Sequence, residues 1–404
     1  MRIGFWGNTN NYPFMLAQAL RRAGHEVQFV VDSSERLHRP EHRYEEIGYP
    51  YPGWIRDEAG CMTRYARYFF PTRRVRLAMR WLGQCDALIV NNFGVLIAQK
   101  MGRPYIVLLT GSDLEVSSNA TAFLAASESS DLNGDYLKRI LRRPLVRRVA
   151  SRMQAGIRGS LAYSYFAKGL VPSGDAQLDR ILAIPEGPSP QRLFLLMSDL
   201  DDLEYAPPPL NADLTVFCGA RLTWRKPCRP GTTELDHKGT DVLLHGVKRF
   251  LATSTVRLHL HLVRKGLDVK ETEQLASDLG LGNRVTWHDE MSQRRLFEFF
   301  RNADVIVDHL AESVVGMVGL DAMAMGRPLL ANGRPEILEP LIAEKSPICQ
   351  ARTADEVCAQ LHHLTSPDTR REVGIKSRAY VLKYFSGRSA AERCLEVFAR
   401  AGIC

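Results

Sequence analysis

Short apolar runs alternate along this chain with stretches of helical spacing. Residues 2–6 read as a strand. Residues 13–23 then carry Phe14, Leu16, Ala17 and Leu20 at helical intervals, and Gly24 stops that helix. Residues 27–31 are apolar except for Gln28. Strands this apolar, joined through helices, belong to a parallel sheet covered on both faces. The pattern recurs at 87–90 and 105–109, and 181–184 reads as the last strand of the first half. Before it, Leu137, Ile140, Leu141, Leu145 and Val146 mark an amphipathic helix that Pro144 should kink or divide.

The stretch 185–211, rich in proline and acidic residues, reads as a linker, after which the alternation restarts. Strands are expected at 214–218, 256–262 and 285–287, and helices at 241–251, 269–279 and 291–301. Next comes ADVIVDHLAESVVGMVGLDAMAMGRPLLA at 303–331: a buried strand, a turn with glycines, a helix from about Val315, a stop at Gly326 and another strand. Helices at 337–342, 354–364, 370–384 and 390–401 complete the reading. At 404 residues two cores are expected, so the boundaries are drawn at 1–190, a linker 191–212, a second domain 213–384, and a terminal helix 385–404 that packs back on the first domain. Two such sheets are expected to face each other across a cleft at the carboxyl ends of their strands.

Charge changes this picture in one respect. The net +8 lies entirely in residues 1–190, and the remainder is balanced. Arg73, Arg74, Arg76 and Arg80 form one cluster; Lys138, Arg139, Arg142, Arg143, Arg147 and Arg148 form another. Either they form a solvated face or they attract an anionic partner, an acidic membrane surface or a phosphorylated acceptor. Nucleic acid ranks lower, because no aromatic–basic interleaving accompanies the charge. No run reaches the ~18 apolar residues of a membrane span, and the start shows no leader pattern. The eight cysteines form no C-x-x-C pair, which favours reduced thiols, and a cytoplasmic location is expected.

Candidate chemistry lies at the strand ends. A turn with Gly316 and Gly319 at a helix start brings backbone amides, here those of Gly316, Met317 and Val318, toward an anion that the helix dipole also favours. Asp321 on that helix offers a carboxylate to sugar hydroxyls. Gly219 and Arg221 end one strand, and Lys238 opens the next helix. A planar fork and a point charge flanking one turn suit a diphosphate leaving group. His309 and Glu312 are candidate acid–base groups, each with a structural alternative, and His288 ends a strand in a position to meet a nucleotide base. In the first half, Gly7, Asn8 and Asn10 form a glycine-poor turn that disfavours a dinucleotide fingerprint. Thr110, Gly111, Ser112 and Asp113 form another, where Asp113 either serves chemistry or caps a helix. The D-x-D at Asp199 and Asp201 reads as solvated linker charge.

Taken in order, Gly219 with Arg221, HKGTD at 237–241, LASDLGLGNRVTW at 275–287, ADV at 303–305 and LDAMAMGRPLL at 320–330 resemble family 4 of the two-Rossmann-domain (GT-B) glycosyltransferases. The resemblance implies transfer of a sugar from a nucleotide diphosphate-sugar to a hydroxyl acceptor, a glycan, lipid-linked sugar or small glycoside, with retained configuration and without metal or other cofactor. It implies that Arg221 and Lys238 hold the diphosphate, that residues 316–318 hold phosphate or ribose oxygens, and that Asp321 stands for a ribose-binding glutamate. The first domain would receive the acceptor. Two departures are visible: the family's paired carboxylates fall here on Ser313 and Asp321, with Glu312 one residue early, and Thr110 stands where many relatives have a histidine. An epimerase on the same scaffold, or a non-catalytic nucleotide-sugar-binding protein, are the alternatives.

Overall fold

The computed structural model describes residues 1–44, 46–59, 69–129, 136–184, 188–200, 203–225, 236–311 and 315–403, without the side chains of 127–129 and 136–142. The chain divides into two compact units: 1–166 with 172–196 and 387–404, and 167–171 with 197–386. Each is built on one parallel sheet.

In the first unit the strands are β1 (Arg2–Trp6), β2 (Glu26–Val31), β3 (Ile55–Asp57), β4 (Ala87–Asn91), β5 (Tyr105–Leu108), β6 (Ala162–Ser164) and β7 (Gln191–Leu193), in the order β3-β2-β1-β4-β5-β6-β7. In the second they are β8 (Leu214–Cys218), β9 (Leu258–Val263), β10 (Val285–His288), β11 (Val305–Val307), β12 (Leu329–Ala331) and β13 (Cys349–Gln350), in the order β10-β9-β8-β11-β12-β13. The first strand of each unit therefore pairs with the second on one side and the fourth on the other. Central strands are almost wholly buried, as the continuous apolar runs required: Ile3, Phe5, Ile106, Val216, Leu260 and Ile306 lie at 0–1% exposure.

Several expectations are corrected. Residues 181–184 do not form a strand: they close the helix Pro172–Leu182 and the turn after it, and the sheet's edge is β7. An apolar run of four cannot be told from the inner face of a helix end by periodicity alone. The supposed linker 191–212 is correspondingly split, its start paired into the first sheet and 197 onward joined to the second unit. Its later part is bolted down by Arg370, whose guanidinium donates to the carbonyls of Leu364 (2.9 Å), Pro209 (3.3 Å) and Asn211 (2.6 Å) and pairs with buried Asp304 at 3.2 Å. Asp199, read as solvated, is 1% exposed. The helix Tyr136–Arg158 continues through Pro144 instead of ending there.

The terminal helix Gly387–Arg400 belongs to the first unit, with Gly387 set against the helix Tyr12–Arg22: a Cβ there would stand 3.1 Å from that of Ala19. Cys85, Cys218, Cys349, Cys358 and Cys394 are free thiols.

Candidate functional site

In open parallel sheets of this order, ligands bind beyond the carboxyl ends of the strands where the winding reverses. That point lies between β1 and β4 in the first unit and between β8 and β11 in the second.

At the second of these, the long loop after β8 is stitched to itself and to the loop after β11 by backbone. Lys238 N donates to Thr223 O at 2.8 Å, and Leu310 N donates to Lys238 O at 2.9 Å. Gly239 caps the helix Thr240–Thr253 at φ +72, and a Cβ there would lie 2.9 Å from Ala311 N. Only glycine lets the turn lie this close to the loop after β11. The stitching places Arg221, Asp236, Lys238 and Asp308 together. Arg221 is half exposed, its Nη1 3.8 Å from Asp236 Oδ1. Burial above all, opposed by Asp308 and Asp236 and aided by the nearby Arg221, brings the Lys238 ammonium down to about 8. Lys238 thus stays mainly cationic at neutral pH in a water-poor setting beside a second cation. An incoming anion would relieve both the desolvation and the repulsion. Beside it, the Thr240 hydroxyl is buried with no hydrogen-bond partner among the described residues.

Gly316 precedes the helix Met317–Ala324, and the partly exposed Met317 and Val318 carry first-turn amides that have no intrahelical acceptor. The Gly316 amide itself donates to Asp308 Oδ2 at 2.8 Å, while Asp308 Oδ1 lies 3.2 Å from His309 Nε2. His309 is fixed further by its carbonyl, which accepts from Asn332 N at 2.8 Å. Asp321 is not the open carboxylate its sequence position suggested. It is 1% exposed, Oδ1 accepting from Ser198 Oγ at 3.0 Å and Oδ2 from Gln293 Nε2 at 3.1 Å. Glu312 and the 226–235 stretch between Arg221 and Lys238 lie outside the described residues. Gly219 directly follows β8, where a Cβ would come 3.1 Å from Leu296 and Phe217.

His288 is drawn into a cluster instead of standing alone. Its Nε2 is 2.9 Å from Nδ1 of His261, and His259 Nε2 is 2.6 Å from Thr286 Oγ1. Burial first, then His259 and His288, depress His261 to about 4.

At the first unit's crest the polar groups are spent on the loops themselves. Asp113 is 2% exposed; its Oδ1 accepts from the amides of Thr110 (2.9 Å), Gly111 (3.0 Å) and Leu114 (3.0 Å). Burial raises its carboxyl to about 6 against the pull of those amides. Ser112, not Asp113, is the N-cap of the helix Asp113–Ser117 and makes no side-chain cap bond; the Asp113 carboxylate anchors its own loop where a catalytic group or a cap was expected. Asn8 is likewise consumed, donating to Asn11 Oδ1 (2.7 Å) and His38 O (2.9 Å) and accepting from Phe14 N. Gly7, at φ +97, lies where a Cβ would come 2.6 Å from Asn91 O. Thr110 is partly buried, whereas Asn10 and Ser112 are exposed.

Sequence reasoning missed Asp236, Asp308, Thr240, Ser198 and Gln293. Asp308 and Thr240 had a signal, since both directly follow or open an element at the switch point; the pairing of Ser198 with Asp321, 123 residues away, had none.

Residues 230–366 match the sequence model of the family described as Glycosyl transferases group 1. The chain is 30% identical over 173 residues to a D-inositol 3-phosphate glycosyltransferase of Xylanimonas cellulosilytica, covering 41% of this chain and 38% of that one. It is 33% identical over 102 residues to the same-named protein of Acidothermus cellulolyticus, 23% of each. The chain thus matches well under half the length of these relatives. Among solved structures, sucrose-phosphate synthase from Thermosynechococcus elongatus superposes with a TM-score of 0.59 at 15% identity, over 100% of this chain and 99% of that one. A glycosyltransferase involved in lipopolysaccharide biosynthesis gives 0.54 at 14%, over 98% and 99%. These likenesses show the fold: two parallel-sheet α/β units of the GT-B type.

Proposed function

We propose that this chain, whose residues 230–366 match the glycosyl transferases group 1 model, moves a sugar from a nucleotide diphosphate-sugar to a hydroxyl of a glycan, lipid-linked sugar or small glycoside. The observation that carries the reading is the joint placement of Arg221 and Lys238 at the β8/β11 switch point, beside the open amides of Met317 and Val318. As the bond from the anomeric carbon to the diphosphate oxygen breaks, negative charge grows on the diphosphate. A guanidinium and an ammonium already in place stabilise that charge without reorganising. The acceptor hydroxyl oxygen forms the new bond on the same face, and its proton passes to the departing diphosphate. Configuration is then retained, and the reaction needs no metal. The first unit takes the acceptor, with Asn10 and Ser112 as its exposed polar groups. His309, held by Asp308, is a positioning residue for the donor. Asp321 reaches ribose hydroxyls only by exchanging its bonds to Ser198 and Gln293. A peripheral place at the inner face of a membrane completes the reading.

The test is incubation with UDP-, GDP- and ADP-sugars, with and without chelator, following nucleotide diphosphate release and glycoside formation. Release that persists in chelator supports the reading. Interconversion of the sugars points to an epimerase, and tight binding without turnover across an acceptor panel points to a binding protein.

A further inference from the structure

The first unit carries basic side chains that the donor site does not use, and they are not spread evenly. The helix Arg73–Leu82 buries Val75, Ala78 and Leu82 and exposes Arg73, Arg76, Leu77 and Arg80 on the opposite stripe. Arg74 on its flank is neutralised by buried Glu58 at 2.9 Å. Among the described residues, Arg73, Arg76 and Arg80 enter no ion pair. Just before this helix, Phe70 is 77% exposed, and Leu77 on the stripe is 44% exposed. Phe69 joins the stripe to two further helices. Lys100 Nζ donates to its carbonyl at 2.7 Å and lies 6.0 Å from its ring, and Arg148 lies 6.0 Å from the same ring. Lys100 is depressed first by burial and then by the neighbouring charge of Arg152, so cations crowd here. Exposed Arg147 extends the patch.

Like charges concentrated on one face cost self-repulsion that a polyanionic partner removes. The apolar element decides which polyanion: an exposed phenylalanine and leucine set among arginines suit a bilayer, where the rings enter the acyl boundary and the guanidinium groups stay with the phosphates. We infer that the Phe70–Arg80 segment, with Lys100, Arg147 and Arg148, is a docking face for an anionic lipid membrane. This deepens the peripheral membrane placement proposed above by naming the face that carries it, and rests on that reading for its purpose, delivery of the donor site to a surface-bound acceptor. Vesicle binding and turnover are measured separately, so either can fail without the other.

The experiment is co-sedimentation of the full chain with phosphatidylcholine vesicles, with and without phosphatidylglycerol. Binding should require the anionic lipid and weaken with added salt. Each basic residue at such a surface is worth about fivefold in affinity. The triple variant Arg73→Glu, Arg76→Glu, Arg80→Glu should therefore bind at least about a hundredfold more weakly. Arg147→Glu with Arg148→Glu provides an independent variant on another helix. Phe70→Ala should lower binding several-fold while keeping the salt dependence. All three should keep the wild-type melting temperature and nucleotide-diphosphate affinity. Equal binding to both vesicle types, unchanged binding by the charge-reversed variants, or capture by heparin without capture by vesicles would each overturn the inference.

Discussion

The two sheets wind in the same order, yet their crests treat polar side chains in opposite ways. At the crest of the first sheet, Asn8 after β1 and Asp113 after β5 have their bonding capacity taken up by nearby loops. At the β8/β11 crest, the loops are held by backbone bonds and by glycine at 239, which leaves Arg221 half exposed and Lys238 cationic in a dry setting. Strand order thus locates a crest, and where each hydrogen bond ends decides whether that crest is a scaffold or a binding surface. Within the second unit, Asp321 follows the scaffold pattern although its helix borders the loops that carry Arg221 and Lys238.

The largest effect that would sharpen this contrast is on Asp113. Asp113→Ala leaves the amides of Thr110 and Gly111 unmet, while that of Leu114 keeps the Gly111 carbonyl, and should cost about 4 kcal/mol of stability in the first unit. Chemical denaturation reads it; a variant as stable as wild type but inactive would return Asp113 to the chemistry. Lys238→Ala should do the reverse, costing about 3 kcal/mol of transition-state stabilisation, read as kcat/KM, with melting temperature unchanged or raised. A large loss of stability there would erase the difference between the crests. Asp321→Ala strands Ser198 and Gln293 and should destabilise the second unit by about 2 kcal/mol. Unchanged stability with lost donor affinity would place it among the binding groups instead.

The smallest effect concerns pH. His261 is held near 4 in the folded chain against an unfolded value near 6.5. The unfolded chain therefore takes up the proton first, and stability should fall as pH drops from about 6.5 to about 4. Allowing for the ring's partial exposure, about 1 kcal/mol is expected. His261→Gln should flatten that part of the profile in a denaturation series. An unchanged profile would mean that the cluster adds no pH dependence to this unit.

Much of this was legible in the amino-acid sequence, and the limits are physical. Long central strands such as β1 and β9, and the turn from Gly316 into its helix, carry enough periodicity and glycine punctuation to be read directly. β3, β6, β7 and β13 have two or three residues each, too few for a period to register. The joint placement of Arg221 and Lys238 followed from their positions at the ends of adjacent elements. The partners of Asp113 and Asp321 did not. A carboxylate two residues after a glycine looks the same whether it faces solvent or closes on its own amides, and Ser198 meets Asp321 only through tertiary packing.

The most direct test is calorimetric titration of UDP, GDP and ADP into the wild-type chain, Arg221→Ala and Lys238→Ala, at pH 7 and again near pH 9.5. The account predicts that at least one nucleotide binds at pH 7, that each variant loses about tenfold or more, and that wild-type affinity falls as Lys238 gives up its proton above about 8. Binding that is indifferent to both substitutions and to pH would contradict it.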